Sequence, residues 1–113
     1  MPVKRVILEM GAGNDLHGSD YTKAALRAVQ DALHHSSLSL VRSLGLDVNS
    51  LQVEVTIGVQ RPEQVDAAAV KASLPRGQVT VKVVKGGLDV PAEDRHDAIV
   101  IASAAIAARF DLP

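Results

Sequence analysis

An aspartate and a histidine two residues apart are the side chains of this sequence best suited to chemistry. Asp15 and His17 stand in a stretch that also contains Gly11, Gly13 and Gly18. An imidazole titrates near neutral pH, and a neighbouring carboxylate can hold it in one tautomer, which is the arrangement that general acid/base catalysis uses. The spacing therefore predicts His17 as a catalytic acid or base and Asp15 as the residue that orients it.

The glycines of this stretch predict a binding site for a small polar or anionic molecule. Glycine lets the backbone adopt positive φ angles and approach a ligand closely, and the N-terminus of a following helix presents unpaired N–H groups to an anion. The expected contacts are Gly11, Gly13, Gly18 and Ser19. Two well-known phosphate-binding patterns are excluded, because Leu16 stands where a dinucleotide-binding motif needs glycine and no lysine precedes Ser19 as in a P-loop.

The same residues fit two other functions. Asp15 and His17 can share a metal ion, with a third ligand from His96, Asp97 or another subunit, which would make the protein a metal-dependent hydrolase. Alternatively, Asp15 caps N–H groups and His17 anchors the turn, so that the loop shapes a subunit contact in a non-enzymatic structural or regulatory module. The pattern specifies neither a cofactor nor a metal, and it fits an enzyme and a non-enzyme equally.

The elements that position this loop alternate between strand and helix patterns. Val3 to Met10 is typical of a buried strand that stops at Gly11. The spacing of apolar residues predicts one long helix from Ser19, its N-cap, to Leu44. The remaining predicted elements are a strand over 51–60, a short helix between Arg61 and Pro75, a strand over 78–85, a charged surface loop over 93–97 and a strand over 98–107. The last of these is apolar on both faces, which suits a central or an interface strand.

This order predicts a single α+β domain over residues 1–113, a two-layer sandwich in which one long and one short helix cover one face of a roughly four-stranded sheet. The apolar line of the long helix is expected to be Leu26, Val29, Leu33, Leu40 and Leu44, and that of the short helix Val65, Ala69 and Ala72. The side chains expected on the opposite face are Arg5, Glu9, Glu54, Thr56, Thr80 and Lys82. They are either solvated or part of a polar interface between copies of the chain. A valine-rich sheet in so small a chain gains from burial against a partner, so we expect self-association.

Composition excludes several classes of partner. The 113 residues contain one Tyr, one Phe and no Trp, and the formal net charge is −1. Without aromatic platforms or a basic excess, nucleic acid is not an expected partner, and any small ligand must be polar. The apolar run from Ala98 to Ala108 is too short to cross a bilayer, so no membrane is expected. The absence of Cys fits a reducing compartment and predicts a cytoplasmic location.

The glycine-rich stretch and four later segments resemble one known family. The residues Gly11, Gly13, Asp15, His17 and Gly18 form the pattern G-x-G-x-D-x-H-G, and the later segments read VEVTIGVQRPEQVD, GQVTVKVVKGG, DAIVIASAA and, in the predicted long helix, KAALRAV. They are similar to the Lin-type family of conserved hypothetical proteins, of which that pattern is the hallmark. No activity is established for the family, and the resemblance implies that this loop is its functional region.

Overall fold

The computed structural model describes residues 3–16, 18–34, 50–74, 77–91, 93 and 98–111. They form a mixed sheet of five strands with two α-helices. The strands are β1 (Val3–Asp15), β2 (Gln52–Val59), β3 (Gln78–Lys85), β4 (Leu88–Pro91) and β5 (Ala98–Asp111), and the helices are α1 (Tyr21–His34) and α2 (Ala67–Ala72), the latter preceded by a 3-10 turn at Pro62–Gln64. The predicted α+β fold class is confirmed, with β4 as a strand that the sequence did not predict.

The sheet is organised around β5, which occupies the central one of the two positions, central or interface, that its apolar pattern suited. The order is β1-β5-β2-β3, with β5 antiparallel to both of its neighbours. β2 and β3 are parallel and are joined by a crossover through α2. β4 pairs with the first four residues of β5, on the same side as β2 and in line with it. The predicted strands over 51–60 and 78–85 are confirmed as β2 and β3.

The first strand is longer than predicted. Its predicted end at Met10 is wrong, because β5 supplies a paired residue for β1 as far as Asp15, which pairs with Val100. Gly11 and Gly13 are therefore strand residues, and the connection to α1 shortens to residues 16–20.

The start of α1 also differs from the prediction. Tyr21 is the first helical residue, and the N-cap is Asp20, whose Oδ1 accepts a hydrogen bond from the Lys23 backbone N–H at 3.0 Å. The predicted N-cap Ser19 is wrong, because its φ of 51° places it in the left-handed region one residue earlier. The predicted continuation of the helix, with Leu40 and Leu44, lies outside the described residues.

The core lies between α1, α2 and one face of the sheet. On α1 the fully buried seam is made largely of alanines, whereas Leu26 and Leu33 are only partly buried. The predicted leucine line is therefore displaced toward the rim of the core, and Val29 alone of its described members is fully buried. The sheet contributes Val53, Val55, Ile57, Val59, Val100, Ala102, Ala104, Ile106 and Ala108.

The short helix lies where it was predicted, but its first residue and its buried residues differ from the prediction. Its N-cap is Asp66, whose Oδ1 accepts from the Ala69 N–H at 3.2 Å, so the helix proper begins after the 3-10 turn. This start rotates the predicted stripe, because Val70 is the residue that is fully buried while Ala72 is exposed. Val65 packs against the core from just before the helix.

The sheet face opposite the two helices, called the open face below, is more apolar than predicted. Glu54, Thr56, Thr80 and Lys82 occupy it as expected, since their neighbours along β2 and β3 face the core. The prediction for Glu9 is wrong, because Glu9 pairs with the core residue Ile106. A register shift between Arg5 and Ile7 inverts the alternation of β1, since one extra residue moves each following side chain to the other face.

Candidate functional site

Gly11 and Gly13 lie where the backbone of α1 touches β1. A Cβ at Gly13 would lie 2.2 Å from the Ala28 backbone N and 2.6 Å from the Ala24 carbonyl oxygen. A Cβ at Gly11 would lie 2.4 Å from the Ala32 backbone N. Because these atoms belong to the helix backbone, the two glycines and the facing alanines allow α1 to approach β1 more closely than any other residues would. Their packing role is thus defined, and their predicted contact with a ligand stays a prediction.

Asp15, two residues after Gly13 on β1, faces α1 as Gly11 and Gly13 do and lies at the end of the contact between this strand and the helix. Its side chain is 2% exposed, and its Oδ2 accepts a hydrogen bond from the Asp20 N–H at 2.9 Å. Its Oδ1 lies 3.7 Å from Lys23 Nζ and 3.9 Å from Arg27 Nη1, two half-exposed cations on α1. The buried charge is therefore compensated by one hydrogen bond and two nearby cations, and it ties the loop to the start of α1.

Ser19 and Gly18 complete the turn between β1 and α1. Both have positive φ, 88° for Gly18 and 51° for Ser19. The Ser19 hydroxyl accepts a hydrogen bond from the Ala98 N–H at 3.0 Å and lies 3.4 Å from the Ala98 carbonyl oxygen. The turn is thereby fastened to the first residue of β5. One of the N–H groups of this helix end, that of Lys23, is already bonded to Asp20 Oδ1 and is not available to an anion.

The histidines are mostly outside the part of the chain that the structure describes. Four residues of the predicted sites and helix lie outside the described part: His17, His35, His96 and Asp97. His34 is exposed at the last residue of α1. Within the described ranges no group of three His, Cys, Asp or Glu side chains is arranged to hold a metal ion. The predicted catalytic role of His17 and the metal alternative therefore stay predictions.

Sequence reasoning missed a buried pair formed by the only tyrosine. The Tyr21 hydroxyl donates a hydrogen bond to Asp89 Oδ2 at 2.5 Å, and Tyr21 is 5% exposed. Burial raises the pKa of Tyr21 above its ordinary value of 10.0, and the Asp89 carboxylate raises that pKa further. Among the described residues, Asp89 Oδ1 is buried without a hydrogen-bond partner. The sequence signal was the alternation in Leu88–Pro91, which places Asp89 on the opposite side from Leu88 and Val90.

The open face carries most of the exposed large apolar side chains of the described chain. Leu8 and Met10 on β1 are 44% and 68% exposed, and Leu88 and Val90 on β4 are 60% and 40% exposed. Leu88 pairs with Ile101 and Val90 with Ile99, so the side chains of β4 and β5 form a continuous apolar surface. Leu16, 50% exposed, follows directly on β1. The loop thus adds an apolar residue at one end of this surface.

A shallow groove crosses the middle of the open face. Its volume is about 330 Å³. The floor is formed by the small side chains of Thr56, Ser103 and Ala105 with Gly58, and Met10 stands at one side of it. In the sheet register, Thr56 is opposite Ala105 and Gly58 is opposite Ser103, so these positions are adjacent. The groove exists because small residues lie side by side on two neighbouring strands.

The sequence of this chain matches a known family over most of its length. Residues 5–108 match the family described as Conserved hypothetical protein (Lin0512_fam). The chain therefore belongs to this family, which confirms the resemblance seen in the sequence. No functionally curated protein matches the sequence significantly.

One solved structure is similar over the full chain. The crystal structure of an FtsZ-like protein of unknown function from Nostoc punctiforme superposes with a TM-score of 0.87 and is 38% identical in sequence. The match covers 99% of this chain and 99% of the other. The similarity supports the α+β fold and leaves the activity undefined. In the described segments no helix is both long and apolar enough to cross a membrane.

Proposed function

We propose that this protein is a self-assembling module, in which copies of the chain associate through the open face of the sheet. The observation that carries the proposal is the position of the exposed large apolar residues. Of the five among the described residues, Leu8, Met10, Leu88 and Val90 lie on the open face, and Leu16 directly follows β1. A contiguous exposed apolar surface of this kind is typical of an interaction site.

The dimensions of the open face match those of a stable interface. The 14 residues of β5 give a length of roughly 46 Å. The three adjacent positions in the sheet that are held by β1, by β5 and by β2 with β4 give a width of roughly 14 Å. The projected area is therefore roughly 650 Å², and side-chain relief raises the accessible area above it, toward the roughly 800 Å² per partner of a standard interface. One copy of this protein therefore offers a surface of the size that a second copy needs.

The charges on the open face favour a second copy over a nucleic acid or a lipid surface. Arg109 and Glu54 form an ion pair at 2.6 Å near one end of the face. Lys82 on β3 is paired with Thr56 on β2, two residues along that strand from Glu54. Because both signs are present at this end of the face, two copies of the face can meet without accumulating like charge, as self-association requires. The cytoplasmic location predicted from the cysteine-free sequence belongs to this proposal.

The proposal is tested by the mass of the protein in solution. Met10→Glu and Leu88→Glu each introduce a charge on the open face and should shift the assembly to single chains in light scattering and sedimentation. Gln30→Glu is the matched control, because Gln30 is exposed on α1, and it should leave the mass unchanged. Circular dichroism checks that each variant is folded. A wild-type protein that is a single chain at high concentration would overturn the proposal.

A second candidate function is the binding of a small polar or anionic molecule at the loop, with His17 as acid/base and Asp15 as its orienter. It is favoured, for a polar ligand, by Asp89, whose buried Oδ1 lacks a hydrogen-bond partner in the described part of the chain and lies beside the start of α1, where it can accept from a donor group. Its test is His17→Ala with glycerol as a probe that donates hydrogen bonds and inorganic phosphate as an anionic probe. A thermal shift lost in the variant at unchanged mass supports ligand binding, whereas a change of mass supports the subunit contact.

A further inference from the structure

The open face of each chain has a projecting apolar part and a recessed part. The first, called the ridge, consists of Leu88, Val90, Ile99 and Ile101. The second is the groove described above, whose floor begins at Ser103, two residues along β5 from Ile101. A projecting apolar surface thus lies about 7 Å from a recess with an apolar floor, since two residues of a strand span that distance.

Two glycines create this neighbourhood. After β3 the chain crosses the end of β2 to pair with β5, and the crossing passes through Gly86 and Gly87. A Cβ at Gly87, whose φ is +60°, would lie 2.2 Å from the Ile101 carbonyl oxygen and 2.8 Å from that of Gly58. Only glycine fits at position 87, and the crossing takes the chain from the edge strand β3 to the position in line with β2. Leu88 is thereby placed directly beyond the end of the groove.

We propose that the ridge of one copy packs into the groove of a second copy. This inference rests on the proposed function and specifies which residues meet in the assembly. The groove of about 330 Å³ holds roughly eleven groups of the size of a water molecule, which is the content of two or three aliphatic side chains. The ridge supplies side chains of that kind, and each copy presents both parts, so every contact between copies covers one ridge and one groove.

A second copy explains both features at once. A small apolar ligand would fill the groove but would leave Leu88 and Val90, which are 60% and 40% exposed, in contact with water. Packing the ridge into the groove removes both apolar surfaces from water with a single contact. Small residues opposite large ones are also the arrangement by which facing layers interdigitate at the density of a protein interior.

The inference is tested by exchanging the sizes of the two parts. Ser103→Leu fills the groove and should weaken association at least about tenfold, measured as the dissociation constant by sedimentation at serial dilution. Ser103→Leu combined with Leu88→Ala should recover most of that loss, because the added side chain replaces the one removed. Ser103→Leu combined with Leu8→Ala is the matched control and should recover nothing, since Leu8 lies on the open face outside the ridge.

A mixing experiment shows whether the recovery acts between chains. When the Leu88→Ala chain is mixed with the Ser103→Leu chain, native mass spectrometry should find mixed assemblies in excess over assemblies of Ser103→Leu alone. If Ser103→Leu associates as the wild type does, or if Leu8→Ala rescues it equally, the ridge does not bind the groove. In that case the self-assembly proposal still depends on Met10→Glu and Leu88→Glu, so the two ideas fail separately.

Discussion

The contact between β1 and α1 makes a sharp prediction for Gly13→Ala. The new Cβ would lie 2.2 Å from the Ala28 backbone N, about 1.2 Å short of the 3.4 Å at which ordinary contact begins. The Ala24 carbonyl oxygen, at 2.6 Å, blocks a sideways shift. Since neither atom belongs to a flexible side chain, α1 must move away from the sheet, and a gap of 0.5–1 Å already loses about a quarter to a half of the dispersion energy of a contact.

The expected cost follows from what α1 buries. Six of its residues are buried, most of them alanines whose only contacts are at short range. Overpacking of a core costs about 1–3 kcal/mol, and the rigidity of both backbones places Gly13→Ala at the upper end or beyond. With an unfolding entropy of about 2.1 cal/mol/K per residue, a loss of about 3 kcal/mol lowers the Tm of a chain of this length by about 12 °C.

The assay is thermal unfolding followed by circular dichroism at one fixed protein concentration, because association also shifts Tm. Gln30→Ala is the control, because Gln30 is exposed on α1 and lies outside the open face. A surface substitution of this kind changes stability by about 0.5 kcal/mol or less, which is a change in Tm of about 2 °C. If Gly13→Ala melts no lower than Gln30→Ala, close helix packing is not the reason for glycine at position 13.

Three further outcomes follow from the polar contacts at the start of α1. Tyr21 is the only tyrosine, so the near-ultraviolet absorbance of tyrosinate reports it alone, and its midpoint should lie above 10.0. Because the folded pKa is raised, the contribution of Tyr21 to stability is complete below pH 10 and is lost as the pH rises through the folded pKa. Asp89→Asn should move the midpoint part of the way back, since burial is the larger cause, and a wild-type midpoint at or below 10.0 would contradict this account. Asp20→Ala removes the N-cap of α1 and should cost about 0.5–2 kcal/mol in urea unfolding. Asp15→Ala should cost about 1–3 kcal/mol, because it leaves the Asp20 N–H without its acceptor, whereas Lys23→Ala should cost less than about 1 kcal/mol because Lys23 is half exposed; equal losses would contradict that reasoning.

The regular strands show how far local patterns carry. β2 and β3 were predicted to within one or two residues, because Val and Ile alternate with polar residues and only one face of each strand meets the core. β5 was predicted as a central or an interface strand because both of its faces are apolar. The missed strand, β4, has only four residues and follows two glycines, so its own pattern is too short to distinguish it from a loop.

The errors at the candidate site have a different origin. Gly11 and Gly13 predicted a loop because glycine most often marks one, but here each glycine accommodates a backbone packed from another element. That information is nonlocal, since the atoms that exclude a Cβ belong to Ala28 and Ala32. The pairing of Tyr21 with Asp89 is equally nonlocal, because 68 residues separate them in the chain.

By itself, the sequence determined the fold class, the family and the types of side chain in the glycine-rich stretch, because these depend on local periodicity and on a short motif. Tertiary structure alone decided which face each residue of β1 occupies, since a register shift near Arg5 and Ile7 inverts the alternation that follows. It thereby placed Leu8 and Met10, and not Glu9, on the open face. A one-residue shift leaves the composition and the hydrophobic pattern of the strand unchanged, and only pairing with β5 reveals it.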